Sequence, residues 1–399
     1  MRILQICNKA PYPANDGSSI AIYNMSLGFI ENEADLYLLT INTKKHFKPD
    51  KLVPEEFKRR SKYVSVYKNT NVNPAGLILN LLSKESYFLS RFYFRAFKNK
   101  LIEVLKKNTF DIIHLEGLFV ATYIPVIRKY SKAKIAIRAH NIEHLIWDRM
   151  IANETNAVKK KYLVLQNERL KKFELSVLPR VDAIVTITDY DKQYLEKLGI
   201  KNNYFVSPTG IDVSKYPLQA DAEERCSVFH FGSMDWMPNV EAVEWFLEHV
   251  WLKHFIDKTN YTFYIAGRNM PAKLLNINYN NVKIVPDVKD SVHFYNSKEI
   301  MVVPLLSGSG MRIKILEGMA MSKAIVSTAI GAEGIPVTQN KNIILANTAE
   351  GFALAIKNIA ENNDLKVHLK ENARIFITES FNNKKLVKDL LLFYSNLLN

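Results

Sequence analysis

The sequence predicts two α/β domains, each a doubly wound parallel sheet, facing one another across a cleft. Three observations carry this reading. Short β-branched runs alternate with longer helical stretches along the whole chain, which is the pattern of parallel βαβ units. Many of those runs are almost continuous Val, Ile and Leu, as in strands covered on both faces. The pattern also restarts at Val228 after a polar, proline-marked stretch at 208–225, and 399 residues exceed one ordinary core.

The strand runs of the first half are 2–7, 35–42, 63–67, 111–115, 134–139, 183–188 and 204–206. Those of the second half are 228–232, 262–266, 282–285, 300–304, 324–327 and 343–345. The boundaries drawn from them are 1–208 and 209–381. Residues 382–399 form a last helix carrying Leu386, Leu390, Leu391 and Tyr394, expected to pack back across the domain junction. Ligands of such sheets bind beyond the carboxyl ends of the strands, where strand order reverses.

Hydrophobic content of 48% and charged content of 24% fit a globular protein and exclude disorder. Cys7 and Cys226 lie far apart in apolar runs and read as buried reduced thiols, with no zinc-ligand spacing. No signal-peptide pattern and no apolar run of about 18 residues occurs, so a cytoplasmic protein without a spanning helix is expected. The net charge of +14 points to an anionic partner. Nucleic acid ranks last, because no zinc-finger, RNP or helix-turn-helix signature is present.

The most informative stretch is 304–317, PLLSGSGMRIKILE. A strand ends at Pro304, a small loop of Ser307, Gly308, Ser309 and Gly310 follows, and a helix begins near Met311. Glycines let backbone N–H groups approach an anion, and a helix N-terminus adds donors and positive dipole. With Arg312 and Lys314 nearby, the loop is either a diphosphate cradle or a tight turn. Glu317, about two turns into the helix, either accepts hydrogen bonds from ribose hydroxyls or is a surface glutamate.

In the first half, the loop 11–19 joins the first strand to a helix. Polar residues also gather at a second strand end, 138–144, RAHNIEH, where they point toward a cleft. A metal site on His140 and His144 is the weaker reading of that cluster. Residues 73–107 interleave apolar and aromatic side chains (Leu77, Leu82, Phe88, Phe97 among them) with Lys84, Arg91, Arg95, Lys98, Lys100, Lys106 and Lys107. That pattern suits either an anionic membrane surface or a buried helix pair with a solvated basic face. A second basic helix, 159–172, adds to the surface.

The stretch 304–317 resembles the donor-binding motif of retaining glycosyltransferases of family 4, which have the GT-B fold of two Rossmann-like domains. Further segments are similar to that family in the same order: 206–212 (VSPTGID), 231–239 (FGSMDWMPN), 265–268 (IAGR) and 327–334 (STAIGAEG). The resemblance covers nearly the whole chain and is most specific in the second half. It implies an N-terminal acceptor-binding domain and a C-terminal domain for a nucleoside diphosphate sugar. Donor-binding roles then fall on Asp16, Gly17, Gly232, Arg268, Pro286, Val288, Ser307, Gly308, Ser309, Gly310, Met311 and Glu317. Catalytic roles fall on His140, Arg312 and Lys314, and acceptor-side roles on Glu116, Asn141 and Glu143. For the loop 11–19, a plain turn with a helix cap at Ser18 or Ser19 is the competing reading.

Two departures matter. Relatives often carry a first glutamate eight residues before the second, and here that position is Ser309. Many also have basic residues after the strand ending at Gly232, whereas Ser233–Asn239 has none, which moves the phosphate role to Arg312, Lys314 and Arg268. The resemblance implies sugar transfer to a hydroxyl of a saccharide or lipid-linked saccharide, with retained configuration. No metal and no cofactor beyond the nucleotide sugar is expected, and attachment would be to the cytoplasmic face of the inner membrane. The rival readings are a nucleotide-sugar 2-epimerase of the same fold and a non-catalytic nucleotide-sugar-binding protein.

Overall fold

The computed structural model describes residues 1–14, 16–44, 47–71, 73–152, 154–218, 223–308 and 310–399. Ser309, assigned to the donor loop above, lies outside the described residues. The chain divides into two compact units, Met1–Gly210 with Asn383–Asn399, and Ile211–Asn382.

Among the described residues the first unit holds a seven-stranded sheet of order β3-β2-β1-β4-β5-β6-β7. Its strands are β1 (Arg2–Cys7), β2 (Asp35–Thr43), β3 (Val64–Lys68), β4 (Ile112–Glu116), β5 (Lys134–Ala139), β6 (Ala183–Thr186) and β7 (Tyr204–Val206). All neighbours pair in parallel. Ile3, Leu4 and Ile6 are wholly buried although successive side chains face opposite sides, so both faces of β1 are covered. Strand order reverses between β1 and β4, where Cys7 pairs with Glu116, and Glu116 pairs in turn with Arg138 of β5.

The second unit holds a six-stranded parallel sheet of order β10-β9-β8-β11-β12-β13. These strands are β8 (Glu224–Phe231), β9 (Thr262–Gly267), β10 (Val282–Pro286), β11 (Lys298–Val303), β12 (Ala324–Ser327) and β13 (Ile344–Leu345). Here the order reverses between β8 and β11. In both units the carboxyl ends of the central strands therefore open onto a switch point.

Helix Gly17–Glu31 follows β1. Its cap is Asp16, not Ser18 or Ser19: the carboxylate accepts from the Ser19 amide and Ser19 returns the bond to the cap backbone. The C-terminal helix, Asn383–Leu398, packs on this helix within the first unit, where a Cβ at Gly28 would overlap Val387. Asn383 Nδ2 donates to the Asn24 carbonyl at 2.8 Å, which joins the start of the C-terminal helix to the middle of helix Gly17–Glu31.

The segment 73–107 resolves mostly as core. Helix Arg95–Lys107 buries Phe97, Leu101, Val104 and Leu105 under the sheet, and Phe88 stacks on Trp147 at 3.8 Å. Most of the aromatic residues of the segment are held by tertiary packing instead, with Tyr93 exposed. Among the described residues a small apolar tip stays outside, Leu79, Leu81 and Leu82, with Leu82 90% exposed and Lys84 next in the chain but one. Among the described residues no helix is long and apolar enough to cross a membrane. Both cysteines are free thiols; Cys7 is buried as expected, but Cys226 is only half-buried.

Candidate active site

In the second unit the site grows from the ends of β8 and β11. The last buried residue of β8 before its exit is His230, whose Nδ1 lies 3.0 Å from the Val302 carbonyl of β11. A carbonyl only accepts, so Nδ1 carries the proton and Nε2 keeps a lone pair. That lone pair faces Lys314 Nζ at 3.3 Å, and Lys314 also donates to Asn239 Oδ1 at 2.7 Å. Asn239 is itself fixed, donating to the Ser233 carbonyl at 2.8 Å. Gly232 leaves room for this arrangement: a Cβ there would stand 2.6 Å from Lys314 Nζ and 2.7 Å from Asn239 Nδ2.

Burial, and then the Arg312 charge, hold Lys314 down to about 7, while Glu317 pulls the other way. Burial and Lys314 keep His230 well below its ordinary value and therefore neutral. Glu317, on the same helix Ile313–Ala320, is pushed up to about 7 by burial, against a hydrogen bond from Tyr216 Oη at 3.1 Å and the charge of Lys314.

Arg312 is the cap residue of that helix and is buried. The helix therefore starts two residues later than the sequence suggested. The guanidinium donates to the Gly310 carbonyl and lies over the Trp236 ring, 5.5 Å from its centroid. Gly308 and Gly310 have φ of 120° and 77°, a region that side chains resist, so the loop path needs glycine. Ser307 donates to Glu241 at 2.6 Å. Arg268 Nε reaches Ser233 Oγ at 3.0 Å and so ties the end of β9 to the loop after β8. Met311 and Val288 are half-buried and Pro286 is exposed, with the Asp287 amide bonded to the Gly267 carbonyl at 2.7 Å. The geometry thus places Gly232, Lys314, Arg312 and the glycine loop at one switch point, with Glu317 farther along the helix.

In the first unit His140, at the exit of β5, lies 2.6 Å from Glu116 Oε2 through Nε2. Glu116 itself is fully buried, with its carboxylate turned to His140 and no surface of its own. Asn141 is half-buried beside it. Glu143 opens helix Glu143–Ala152, and burial and the neighbouring Glu174 push its carboxyl up to about 8. His144 is a satisfied core histidine, between Glu174 at 2.7 Å and Tyr194 at 3.0 Å, which removes it from any metal reading. The Asp16 carboxylate pairs with Lys9 at 2.8 Å besides capping its helix, with Gly17 as the first helical residue.

His230, Tyr216 and Lys9 are absent from the sequence reading, and Trp236 and Asn239 enter it only within the stretch 231–239, with no role given to them. Only His230 left a signal, a histidine inside the apolar run VFHF.

A family model described as Glycosyltransferase Family 4 matches residues 17–215, and one described as Glycosyl transferases group 1 matches residues 225–362. A Klebsiella pneumoniae protein described as an uncharacterized 44.6 kDa protein in the cps region is 23% identical over 400 residues, spanning 98% of each chain. Among solved structures, sucrose-phosphate synthase from Thermosynechococcus elongatus matches with a TM-score of 0.73 at 13% identity, covering 100% of this chain and 99% of that one. Anabaena HepE in complex with UDP matches with a TM-score of 0.66 at 11% identity, covering 99% and 100%. Two glycosyltransferase family models that follow one another along the chain, with a parallel sheet in each unit and the likeness of the chain to those solved structures, identify this protein as a glycosyltransferase of the GT-B fold.

Proposed function

We propose that the protein transfers a sugar, with retained anomeric configuration, from a nucleoside diphosphate sugar to a saccharide or lipid-linked saccharide hydroxyl. The observation that carries this is the seating of Lys314 against Gly232 by His230 and Asn239, beside Arg312 and the glycine loop. Donors fixed before the reaction stabilise charge as it develops on the leaving diphosphate. The bond from the anomeric carbon to the phosphate oxygen breaks, the acceptor oxygen attacks the same face, and its proton passes to the departing phosphate. This course requires no protein nucleophile, and the cationic side chains meet the diphosphate charge without a metal. HepE, whose structure contains UDP, supports a uridine nucleotide as the first donor to try. The Klebsiella relative in a cps region supports a cell-surface saccharide as acceptor.

The test is a thermal-shift panel of UDP, GDP, ADP and their common sugars, on wild type and Glu317→Ala side by side. A ligand that binds only the folded state must stabilise it. One nucleotide should raise the melting temperature of the wild type, and the substitution should abolish the rise. A wild type indifferent to every nucleotide would sink the reading.

A peripheral membrane contact is proposed for the exposed tip of Leu79, Leu81 and Leu82, with Lys84 and the basic charge of the chain facing anionic lipid. The protein should sediment with anionic liposomes at low salt and be released as salt rises. Leu82→Asp should weaken that binding, and indifference of the wild type to anionic liposomes would remove the proposal.

A further inference from the structure

A line of buried polar groups runs inward from His140 and ends on the C-terminal helix. Glu116 Oε2 is 2.6 Å from His140 Nε2. The other carboxylate oxygen accepts from Gln5 Nε2 at 2.7 Å and lies 3.1 Å from His114 Nε2. His114 Nδ1 in turn is 2.6 Å from the Tyr394 hydroxyl, and Ser26 closes the line by donating to Gln5 Oε1 at 2.7 Å. Gln5, Ser26, His114, Glu116 and Tyr394 are all fully buried, whereas the His140 side chain keeps 16% of its surface open.

The donors and acceptors of this line can be assigned in one way. Burial alone would raise the Glu116 carboxyl, but Arg138, with Nη1 at 3.6 Å, and the two histidines hold it well below its usual range. An ionised carboxylate only accepts, so each histidine donates to it from Nε2. Burial outweighs Glu116 and holds His140 below its ordinary value, so its ring is neutral. Burial, and then Glu116, keep the neighbouring Cys7 thiol protonated. Tyr394 then donates to the bare Nδ1 of His114. The Nδ1 of His140 has no hydrogen-bond partner among the described residues and is not one of the buried unpaired atoms. It is the open edge of the ring.

We propose that Glu116 is a positioning residue that pins His140 in its Nε2–H tautomer, so that His140 presents an Nδ1 lone pair as acceptor for a sugar hydroxyl. Tyr394, acting through His114, anchors the arrangement on the C-terminal helix. The inference rests on the glycosyl-transfer reading above. It also selects among ligand groups. A lone pair attracts a hydroxyl and repels a phosphate oxygen, so His140 takes a hydroxyl of the sugar or the acceptor and not the diphosphate. A network that served only to hold β1, β4, β5 and the C-terminal helix together would set the same tautomer, but turnover would not depend on it.

The test is side-chain nitrogen NMR of the full chain labelled in histidine, with His140 assigned by its loss in His140→Gln. At neutral pH the wild type should show His140 neutral, protonated at Nε2 and bare at Nδ1. The tautomer is read on the wild type, and His140→Gln serves only to assign the signal. Glu116→Gln keeps the shape but offers an amide that must donate to one ring, so the tautomer should become mixed. Nucleotide release should then be slower by about 10-fold to 100-fold in kcat, with nucleotide binding unchanged. The probe is UDP-glucose or GDP-mannose, whichever stabilises the wild type. Tyr394→Phe should cost about 2-fold to 5-fold in kcat and disturb the His114 tautomer. A wild-type His140 protonated at Nδ1 or at both nitrogens overturns the proposal alone. So does Glu116→Gln or Tyr394→Phe with a changed tautomer and wild-type kcat. A wild type that neither binds nor turns over any nucleotide sugar overturns the glycosyl-transfer reading, and this proposal with it.

Discussion

Lys314→Met should lower kcat/KM for the sugar nucleotide by about 10²-fold to 10³-fold, the usual cost of removing one fixed donor to developing charge. The substitution keeps an unbranched aliphatic stem but removes the ammonium seated by His230 and Asn239. The fold should survive, because a cation whose charged form is penalised by burial is being removed. The pH dependence carries the sign. Lys314 sits at about 7 in the empty site, and a bound diphosphate would raise it. Its contribution to affinity is therefore full below about 7 and is lost as pH rises toward the bound value. Glu317, also at about 7, would be lowered by ribose hydroxyls donating to it. Its contribution is full above about 7 and is lost as pH falls. Affinity for a sugar nucleotide, whose diphosphate does not titrate near neutrality, should thus peak near neutral pH. Lys314→Met should remove the alkaline limb and Glu317→Gln the acid limb. A flat profile in the wild type, or wild-type turnover in Lys314→Met, would remove Lys314 from the site.

Gly267→Ala should be the most damaging single substitution to stability in the second unit. Gly267 ends β9 with φ of 145°, and a Cβ there would fall on the Gly232 carbonyl oxygen. That neighbour is backbone, which cannot rotate aside as a side chain can. Strain of the backbone and displacement of the β8 exit together should cost about 3 kcal/mol or more. The displaced strand end carries Gly232, against which Lys314 is seated, so nucleotide binding should be lost at temperatures where the protein is still folded. Urea unfolding and the nucleotide thermal shift read the two effects. Wild-type values for both would show that the close approach of these strand ends is dispensable.

The comparison of these sites with the sequence separates local from tertiary information. The sequence by itself determined the parallel strands, because a strand covered on both faces must be apolar at successive positions, and that is a local property. The run 134–139 is recovered as β5 without change. It also determined the switch-point loop, since glycines at positive φ and a following helix leave a mark in neighbouring positions. β8 begins earlier than its apolar run, at Glu224, whose carboxylate is satisfied by Tyr264 and Lys298, residues far off in the chain. The basic aromatic segment 73–107 was ambiguous for the same reason. Whether Phe88 or Phe97 meets lipid or protein depends on what packs over it, and Trp147 and the sheet supply that cover. Only the tertiary structure decided the role of Glu116. Alternation along β4 places it at a strand end, but β1, β5 and the C-terminal helix converge on it with Gln5, Arg138, His140 and, through His114, Tyr394. The ionisation of Lys314 was likewise beyond sequence, because its chief cause is desolvation, and the burial that desolvates it arises only when folding brings β8, the helix after it and the helix Ile313–Ala320 together. Periodicity records which face of an element is covered; it does not record which charge ends up next to which.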